Sequence, residues 1–460
     1  MKDTIVALST PQGEGAIGVI RLSGVNSIPI VDKVFYGKNL NKVEGNTVHY
    51  GKIKNEEDIV IDECLATVFK SPRSYTKEDI IEISCHGSSY ILDQVIQLLV
   101  RQGARLALRG EFTLRAFLNG QLDLSQAEAV ADLIASESAT SHELAMKQLR
   151  GGISDEIKTL RKRLIKFASL IELENDFGEE DVSFADPSEL KKIVKEIQNK
   201  IAPLISSFSY GNAIKKGIPV AIIGETNVGK STLLNAILQE EKAIVSDIPG
   251  TTRDVIEDVL QLDGILFRFI DTAGIRNTED KIESLGIERT LDQISKAKII
   301  LFVAEINEDY KSIVEKFNEI EITSDQEVLI LINKADTYDH KCHAYDIEEA
   351  ISTAAGRTKT LLISAKNNTG IDQLKSALIH TFKQASNQED AVISSLRHYE
   401  ALQATQQSLD TVINGIDGQI PTDLIAIDIR HAMASLGVIS GEIYTDDLLD
   451  SIFRDFCIGK

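Results

Sequence analysis

The sequence predicts a multidomain chain: an N-terminal α+β domain, an α-helical domain, and an α/β domain inserted into the helical one. Three observations predict it. Residues 1–119 mix short alternating apolar runs with turns. Residues 120–215 and 381–460 carry apolar residues at steps of three and four, the period of amphipathic helices. Between them, residues 216–380 change to apolar strand runs alternating with helical patterns. A domain inserts into another at little cost when its own ends lie close together.

In the N-terminal region, AIGVIRLSG and DIIEISCHG read as strands and SYILDQVIQLLVRQG as a helix. The helical region opens with LSQAEAVADLIAS, LRKRLIKFASLIELEN and SELKKIVKEIQNKIAPLISSF. Gly211 and Gly217 then bracket an expected linker. Helical texture resumes with HYEALQATQQSLDTVINGI and TDLIAIDIRHAMASLGVIS, and SGEIYTDDLLDSIFRDFCIGK closes the chain.

Composition narrows the function classes. The 460 residues suggest about two to four domains. The hydrophobic share of 43% suffices for several cores. No apolar run approaches the roughly 18 residues of a membrane-spanning helix, and MKDTIVALST lacks the layout of a signal peptide. The expectation is a cytoplasmic protein with no membrane contact. Cys64, Cys85, Cys342 and Cys457 form no CxxC pair and read as reduced thiols. A net charge of -21 repels nucleic acid at long range. An RNA substrate would therefore need a local basic patch or a basic partner protein.

The chemistry concentrates in the inserted region. PVAIIG is a buried parallel strand that runs into GETNVGKST and then the helix TLLNAIL. This strand–loop–helix order is that of a P-loop NTPase. Its glycines let backbone N–H groups wrap phosphates, and the helix N-terminus adds partial positive charge. Asn227, Val228, Gly229, Lys230, Ser231 and Thr232 are the nucleotide-binding positions of this loop. Lys230 reaches the β- and γ-phosphates, and the Ser231 hydroxyl ligates Mg²⁺.

SDIPGTTRD follows, with Ser246, Asp247, Ile248, Pro249, Gly250, Thr251 and Thr252 expected at the nucleotide. Thr252 is the switch residue whose hydroxyl completes the Mg²⁺ shell. The strands DVLQL and ILFRFID are joined by Asp263–Gly264, a hairpin signal. They lead to Asp271, Thr272, Ala273 and Gly274, where Asp271 holds Mg²⁺ through water and the Gly274 N–H meets the γ-phosphate.

EVLILINKAD ends in the base-reading residues. The Asp336 carboxylate accepts hydrogen bonds from guanine N1–H and the 2-amino group, donors that adenine lacks. Asn333 supports the guanine edge, Lys334 packs on the ring, and Ser364, Ala365 and Lys366 approach the base. The motif order is that of a Ras-like G domain hydrolysing GTP. One part departs from Ras: the residue after DTAG is Ile275, which cannot orient a water. Glu283, one short segment downstream, is the candidate replacement, or else a solvated carboxylate at a helix start.

Taken whole, the chain resembles the MnmE (TrmE) family of tRNA-modification GTPases. The likeness rests on TIVALSTPQGEGAIGVIRLSG, GEFTLRAFLNGQLDLSQAEAVADLI, the GETNVGKS, SDIPGTTRD and DTAGIR series, and the terminal FCIGK. The resemblance implies a homodimer, with the G domains meeting across the nucleotide face and residues 1–119 serving as a dimerisation domain. It implies K⁺ at Asn227, Ser246, Ile248 and Thr251, where a cation does the work of an arginine finger. It assigns water orientation to Glu283. It implies a 5-formyl- or methylene-tetrahydrofolate site in residues 1–119, matching Arg21, Glu82 and Lys460. The family's lysine at a further folate position is Gln121 here, which removes a positive charge. Arg109 replaces the family's proline before GEFT and reads as a loop change. Cys457 falls near the folate, either as a nucleophile or acid/base or as an exposed tail thiol. Lys230, Glu283 and Cys457 are thus the catalytic candidates.

The implied reaction adds an aminomethyl or carboxymethylaminomethyl group at C5 of the wobble uridine of certain tRNAs. An MnmG-type protein carrying FAD would be the partner, in a heterotetramer. The alternatives are a ribosome-assembly or other regulatory GTPase and a membrane-remodelling GTPase. The first usually appends a basic RNA-binding module, the second a lipid-binding segment, and neither stands out here.

Overall fold

The computed structural model describes residues 3–176, 187–239, 258–270, 294–323, 326–337, 358–386, 392–454 and 456–459. The chain divides into two compact units. The first comprises Met1–Ala135, Ala145–Gln198 and Ala401–Lys460, and the second Ser136–Leu144 and Asn199–Glu400. The first unit is therefore discontinuous in sequence.

The first unit contains a seven-stranded sheet. Its strands are β1 (Ile5–Leu8), β2 (Gly15–Ser23), β3 (Phe35–Tyr36), β4 (Thr47–Lys54), β5 (Val60–Phe69), β6 (Ile80–Gly87) and β7 (Arg105–Leu106). They lie in the order β3-β4-β5-β6-β2-β1-β7, antiparallel except for the β1–β7 pair. Alternation decides which face is covered. On β5, Asp62, Cys64, Ala66 and Val68 are buried while Glu63 and Leu65 are exposed. The buried face packs under helices α1 (Ser27–Asp32) and α2 (Ser89–Arg101). Helix α2 buries Leu92, Val95, Leu98 and Leu99, spaced as one helical stripe. Each such side chain contributes about 1.5–3 kcal/mol by leaving water. Cys64 and Cys85 belong to this core as free thiols, and the Cys85 thiol is pushed well up by its bond to Cys64 and by burial.

Helix α3 (Glu111–Leu118) follows, and it brings Arg115 into the interior at 1% exposure. A buried guanidinium needs partners, and Asp3, Glu78 and Glu111 supply carboxylates at 2.9, 3.2 and 3.1 Å. Helix α4 (Leu124–Ile134) starts in a capping box: the Asp123 carboxylate accepts from the Gln126 N–H, and the Gln126 side chain accepts from the Asp123 N–H. After helix α5 (Ala139–Leu149), the long helices α6 (Gly152–Asp176) and α7 (Pro187–Lys216) carry the expected three-four apolar spacing. On α6 that stripe is Ile153, Ile157, Leu160, Leu164, Phe167 and Ile171, all buried.

The expected linker at Gly211–Gly217 is corrected, because α7 runs unbroken to Lys216. Gly211 serves another end. A Cβ there would lie 2.1 Å from the Ile393 carbonyl oxygen, so glycine permits a close backbone crossing.

The second unit is built on a six-stranded sheet of β8 (Ile218–Gly224), β9 (Asp258–Leu262), β10 (Ile265–Phe269), β11 (Ile299–Glu305), β12 (Glu327–Asn333) and β13 (Thr358–Leu362). The order is β13-β12-β11-β8-β10-β9, parallel except for the β9–β10 hairpin. That hairpin turns at Asp263 and Gly264, both at positive φ, as the Asp-Gly signal predicts. β11 and β12 are near-continuous apolar runs because both faces are covered. Val220, Ile222, Leu301, Val303, Leu329 and Leu331 share one core with side chains of α8 (Lys230–Gln239) and α10 (Ile371–Ser386). Ala221, Ile223, Ile300, Phe302, Ile330 and Ile332 share the other with α9 (Tyr310–Asn318).

The C-terminal helices are α11 (Leu396–Asp417), α12 (Thr422–Ser440) and α13 (Asp446–Arg454). α12 lies along α6, where the Arg161 guanidinium donates to the Met433 carbonyl at 3.1 Å and pairs with Glu442. Among the described residues, no helix is long and apolar enough to cross a membrane.

Candidate functional site

The carboxyl ends of β8 and β12 and the loop after β13 meet in one cleft. In open α/β sheets this edge is where ligands bind. Asn227, Gly229 and Thr232 line one side, and Asn333, Lys334, Asp336, Thr337, Ala365 and Lys366 the other, around a volume of about 330 Å³. The first set comes from the phosphate-type loop and the second from the two base-type motifs. Residues more than a hundred positions apart in sequence are thus brought to one cavity.

The loop's glycines are required by sterics. Gly224 has φ +149°, and a Cβ on it would lie 2.2 Å from the Val303 carbonyl. Gly229 has φ +99°, and a Cβ there would meet the Asn333 amide at 2.3 Å. Asn227 also takes a positive φ, which asparagine tolerates better than most residues. The Lys230 ammonium donates to the carbonyls of Gly224 and Glu225 at 2.7 and 2.6 Å. Burial pushes its pKa down, and the charge of Glu225 opposes that shift.

Asn333 does more structural work than its sequence reading suggests. It is 2% exposed. Its side-chain N–H donates to the Val228 carbonyl at 2.7 Å, and its side-chain oxygen accepts from the Ala365 N–H at 3.0 Å. It therefore ties the two halves of the cleft together. Asn333→Ala leaves that carbonyl and that N–H buried without those bonds, a cost of about 2–4 kcal/mol. Urea denaturation is expected to show this loss. A wild-type midpoint would mean that the tie carries no load.

Asp336 stands exposed at the cleft mouth. The Ser364 hydroxyl donates to its Oδ1 at 2.6 Å. That bond holds the carboxyl below its usual range, helped by a backbone bond and by the charge of Lys366. A carboxylate held by that hydroxyl is suited to accepting from two N–H donors. The Lys334 ammonium pairs with Glu305 at 2.6 Å.

Sequence reasoning missed the end of β11 and the residues just after it. Glu305 pairs with Lys334, the Ile306 N–H donates to the Asn333 carbonyl at 3.0 Å, and the Asn307 amide donates to Thr337 at 3.3 Å. No motif marks these residues. Only their place at the end of a central strand does.

Ser246, Asp247, Ile248, Pro249, Gly250, Thr251, Thr252, Asp271, Thr272, Ala273, Gly274 and Glu283 lie outside the described residues. So do Cys342 and Lys460. Among the described residues, no group of three or more His, Cys, Asp or Glu side chains could hold a metal.

A second constellation forms where the C-terminal tail meets the N-terminal sheet. Arg21 and Glu82 are cross-strand partners on β2 and β6, bonded at 2.8 and 2.7 Å. Arg21 also donates to the Gly459 carbonyl at 3.3 Å. Its guanidinium lies 5.7 Å from the Phe112 ring and 5.8 Å from that of Tyr75. Gly459 is needed here: a Cβ on it would lie 2.2 Å from the Leu8 carbonyl. Arg109 is more than a loop change. It bridges Ile458 in antiparallel fashion, and its side chain donates to the Phe456 carbonyl at 3.0 Å. The Cys457 carbonyl accepts from the Gly110 N–H, while its side chain is exposed. Gln121 stands exposed on the turn after α3, beside Gly120, whose carbonyl takes a bond of 2.6 Å from the Lys77 ammonium.

Two family models match successive stretches of the chain. One described as "GTP-binding protein TrmE N-terminus" matches residues 4–121, and one described as "MnmE helical domain" matches residues 124–457. The chain belongs to the MnmE family. Full-length members agree. A protein of Cytophaga hutchinsonii named "tRNA modification GTPase MnmE" is 51% identical over 460 residues, covering 100% of this chain and 98% of its own. Proteins of the same name from Christiangramia forsetii and Bacteroides thetaiotaomicron are each 49% identical, with 100% of both chains covered. MnmE membership thus spans the tail constellation and the cleft alike.

Proposed function

We propose that this chain hydrolyses GTP in the service of tRNA modification, through a Ras-like G domain inserted at residues 216–380 of a helical domain. The helical domain is then 120–215 with 381–460, and residues 1–119 are the folate-binding and dimerisation domain. One observation carries the reading: a phosphate loop and an ionised Asp336 face one cleft of about 330 Å³. The relatives' shared name supports both GTP and tRNA.

In this reading the loop N–H groups and Lys230 hold the phosphates, and Asp336, Ser364, Ala365 and Lys366 hold the base. Ser231 and Thr252 would hold Mg²⁺, with Asp271 behind a water. The ion supplies charge neutralisation across the β- and γ-phosphates. A hydroxyl at the start of α8 fits it, since Mg²⁺ prefers hard oxygen donors. Asn227, Ser246, Ile248 and Thr251 would hold K⁺. Replacing K⁺ by Na⁺ is expected to slow turnover about tenfold or more. Equal rates of phosphate release in the two salts would remove the monovalent cation from the scheme.

Arg21, Glu82, Gln121 and Lys460 would bind the tetrahydrofolate derivative, with Cys457 nearby as a nucleophile or acid/base. A guanidinium–carboxylate pair with aromatic neighbours suits a planar heterocycle that presents both donors and acceptors. The exposed side chains of Ile17, Val48, Tyr50 and Leu65 on the open sheet face support a homodimer. An MnmG-type FAD protein would be the further partner in a heterotetramer. The net charge of -21 favours such a partner as the main holder of tRNA. A tRNA substrate also implies work in the cytoplasm.

The test is nucleoside mass spectrometry of tRNA from a strain lacking this chain. The aminomethyl or carboxymethylaminomethyl group on wobble uridine C5 is expected to vanish. An unchanged nucleoside profile would overturn the tRNA part of the reading.

A further inference from the structure

The second residue of the phosphate-type loop is an acid. Glu225 follows the Gly224 turn and is exposed. An anion at this place opposes a polyphosphate, unless a fixed cation answers it. The Lys316 ammonium on α9 does so, at 2.7 Å from the Glu225 carboxylate. Lys316 also pairs with Glu308, whose carboxylate accepts from the Ser312 hydroxyl at 3.2 Å. Lys316 is thereby anchored on its own segment while it reaches across to the loop.

Two cations therefore lie near Glu225. Lys230 already sits on its main-chain carbonyl, at 2.6 Å. Lys316 occupies its side chain. Exposed pairs of this kind contribute little to fold stability. Their effect shows when a highly charged ligand arrives at the same loop.

We propose that Lys316 is a positioning residue for nucleotide binding: it draws the Glu225 carboxylate away from Lys230 and cancels its charge. Without Lys316, Lys230 becomes the near cation for that carboxylate. Glu225 then competes with the phosphates for the Lys230 ammonium and repels them. The inference rests on the reading of the cleft as a GTP site.

The experiment compares the full-length wild type, Lys316→Met and the double variant Lys316→Met/Glu225→Gln, using fluorescent GTP and GDP with Mg²⁺ and K⁺. Wild-type binding establishes the GTP reading first, and its absence sinks that reading rather than this one. Lys316→Met is expected to weaken both nucleotides roughly five- to tenfold. The loss shrinks at high salt, while kcat at saturating GTP stays within about twofold. The double variant returns to within about twofold of wild-type affinity, because the competing charge is gone. A purely structural role for Lys316 predicts that the double variant is as weak as the single one. That result, or an unaffected single variant, overturns the proposal.

Discussion

Asp336→Asn is expected to weaken GTP binding about a hundredfold and to admit xanthosine triphosphate in its place. The Ser364 hydroxyl at 2.6 Å, a backbone bond and the charge of Lys366 lower the Asp336 carboxyl further below its usual range. An ionised carboxylate accepts from guanine N1–H and from the 2-amino group together. Hydrogen bonds to a charged group contribute about 1.5–3 kcal/mol each, so losing their pairing amounts to two or more decades of affinity. Asparagine presents one donor and one acceptor instead. Xanthine, with a carbonyl at carbon 2, matches that pattern. Titration with fluorescent guanosine and xanthosine triphosphates reads the exchange. Unaltered preference for guanine in the variant would contradict the role given to Asp336.

Glu283→Ala is expected to lower kcat for GTP about a hundredfold, while GTP affinity changes by no more than about twofold. The position after DTAG is Ile275, whose side chain can neither donate nor accept a hydrogen bond to water. Hydrolysis needs a polar group there, and Glu283 is the downstream carboxylate proposed for that task. Orientation of the attacking water acts only in the transition state, so its loss appears in kcat rather than in binding. Single-turnover phosphate release on pre-bound GTP separates the two. Wild-type release from the alanine variant would reassign the water to another group.

Legibility differed between parts of the molecule for physical reasons. The β8–loop–α8 unit could be read directly, because its glycines take positive φ angles that other side chains adopt rarely. The β9–β10 hairpin was legible in the Asp263–Gly264 pair for the same reason. Gly211 misled, because a glycine inside a helix looks like a break until its close neighbour, the Ile393 carbonyl, is known. Arg109 was read as a loop change, yet its bonds run to Phe456 and Ile458, some 350 positions along the chain.

By itself, the sequence determined the helical and strand textures of the segments with clear periodicity, and the chemistry of the motif residues. Those follow from periodicity and from the conformational demands of a few residues, all of which act within short stretches. Only the tertiary structure decided which charges meet. Arg115 with Asp3 and Glu78, Lys334 with Glu305, and Lys316 with Glu225 each join elements that no local pattern links. A salt bridge depends on where two side chains end in space. The packing of the cores sets that position, and the spacing of charges along the chain does not record it.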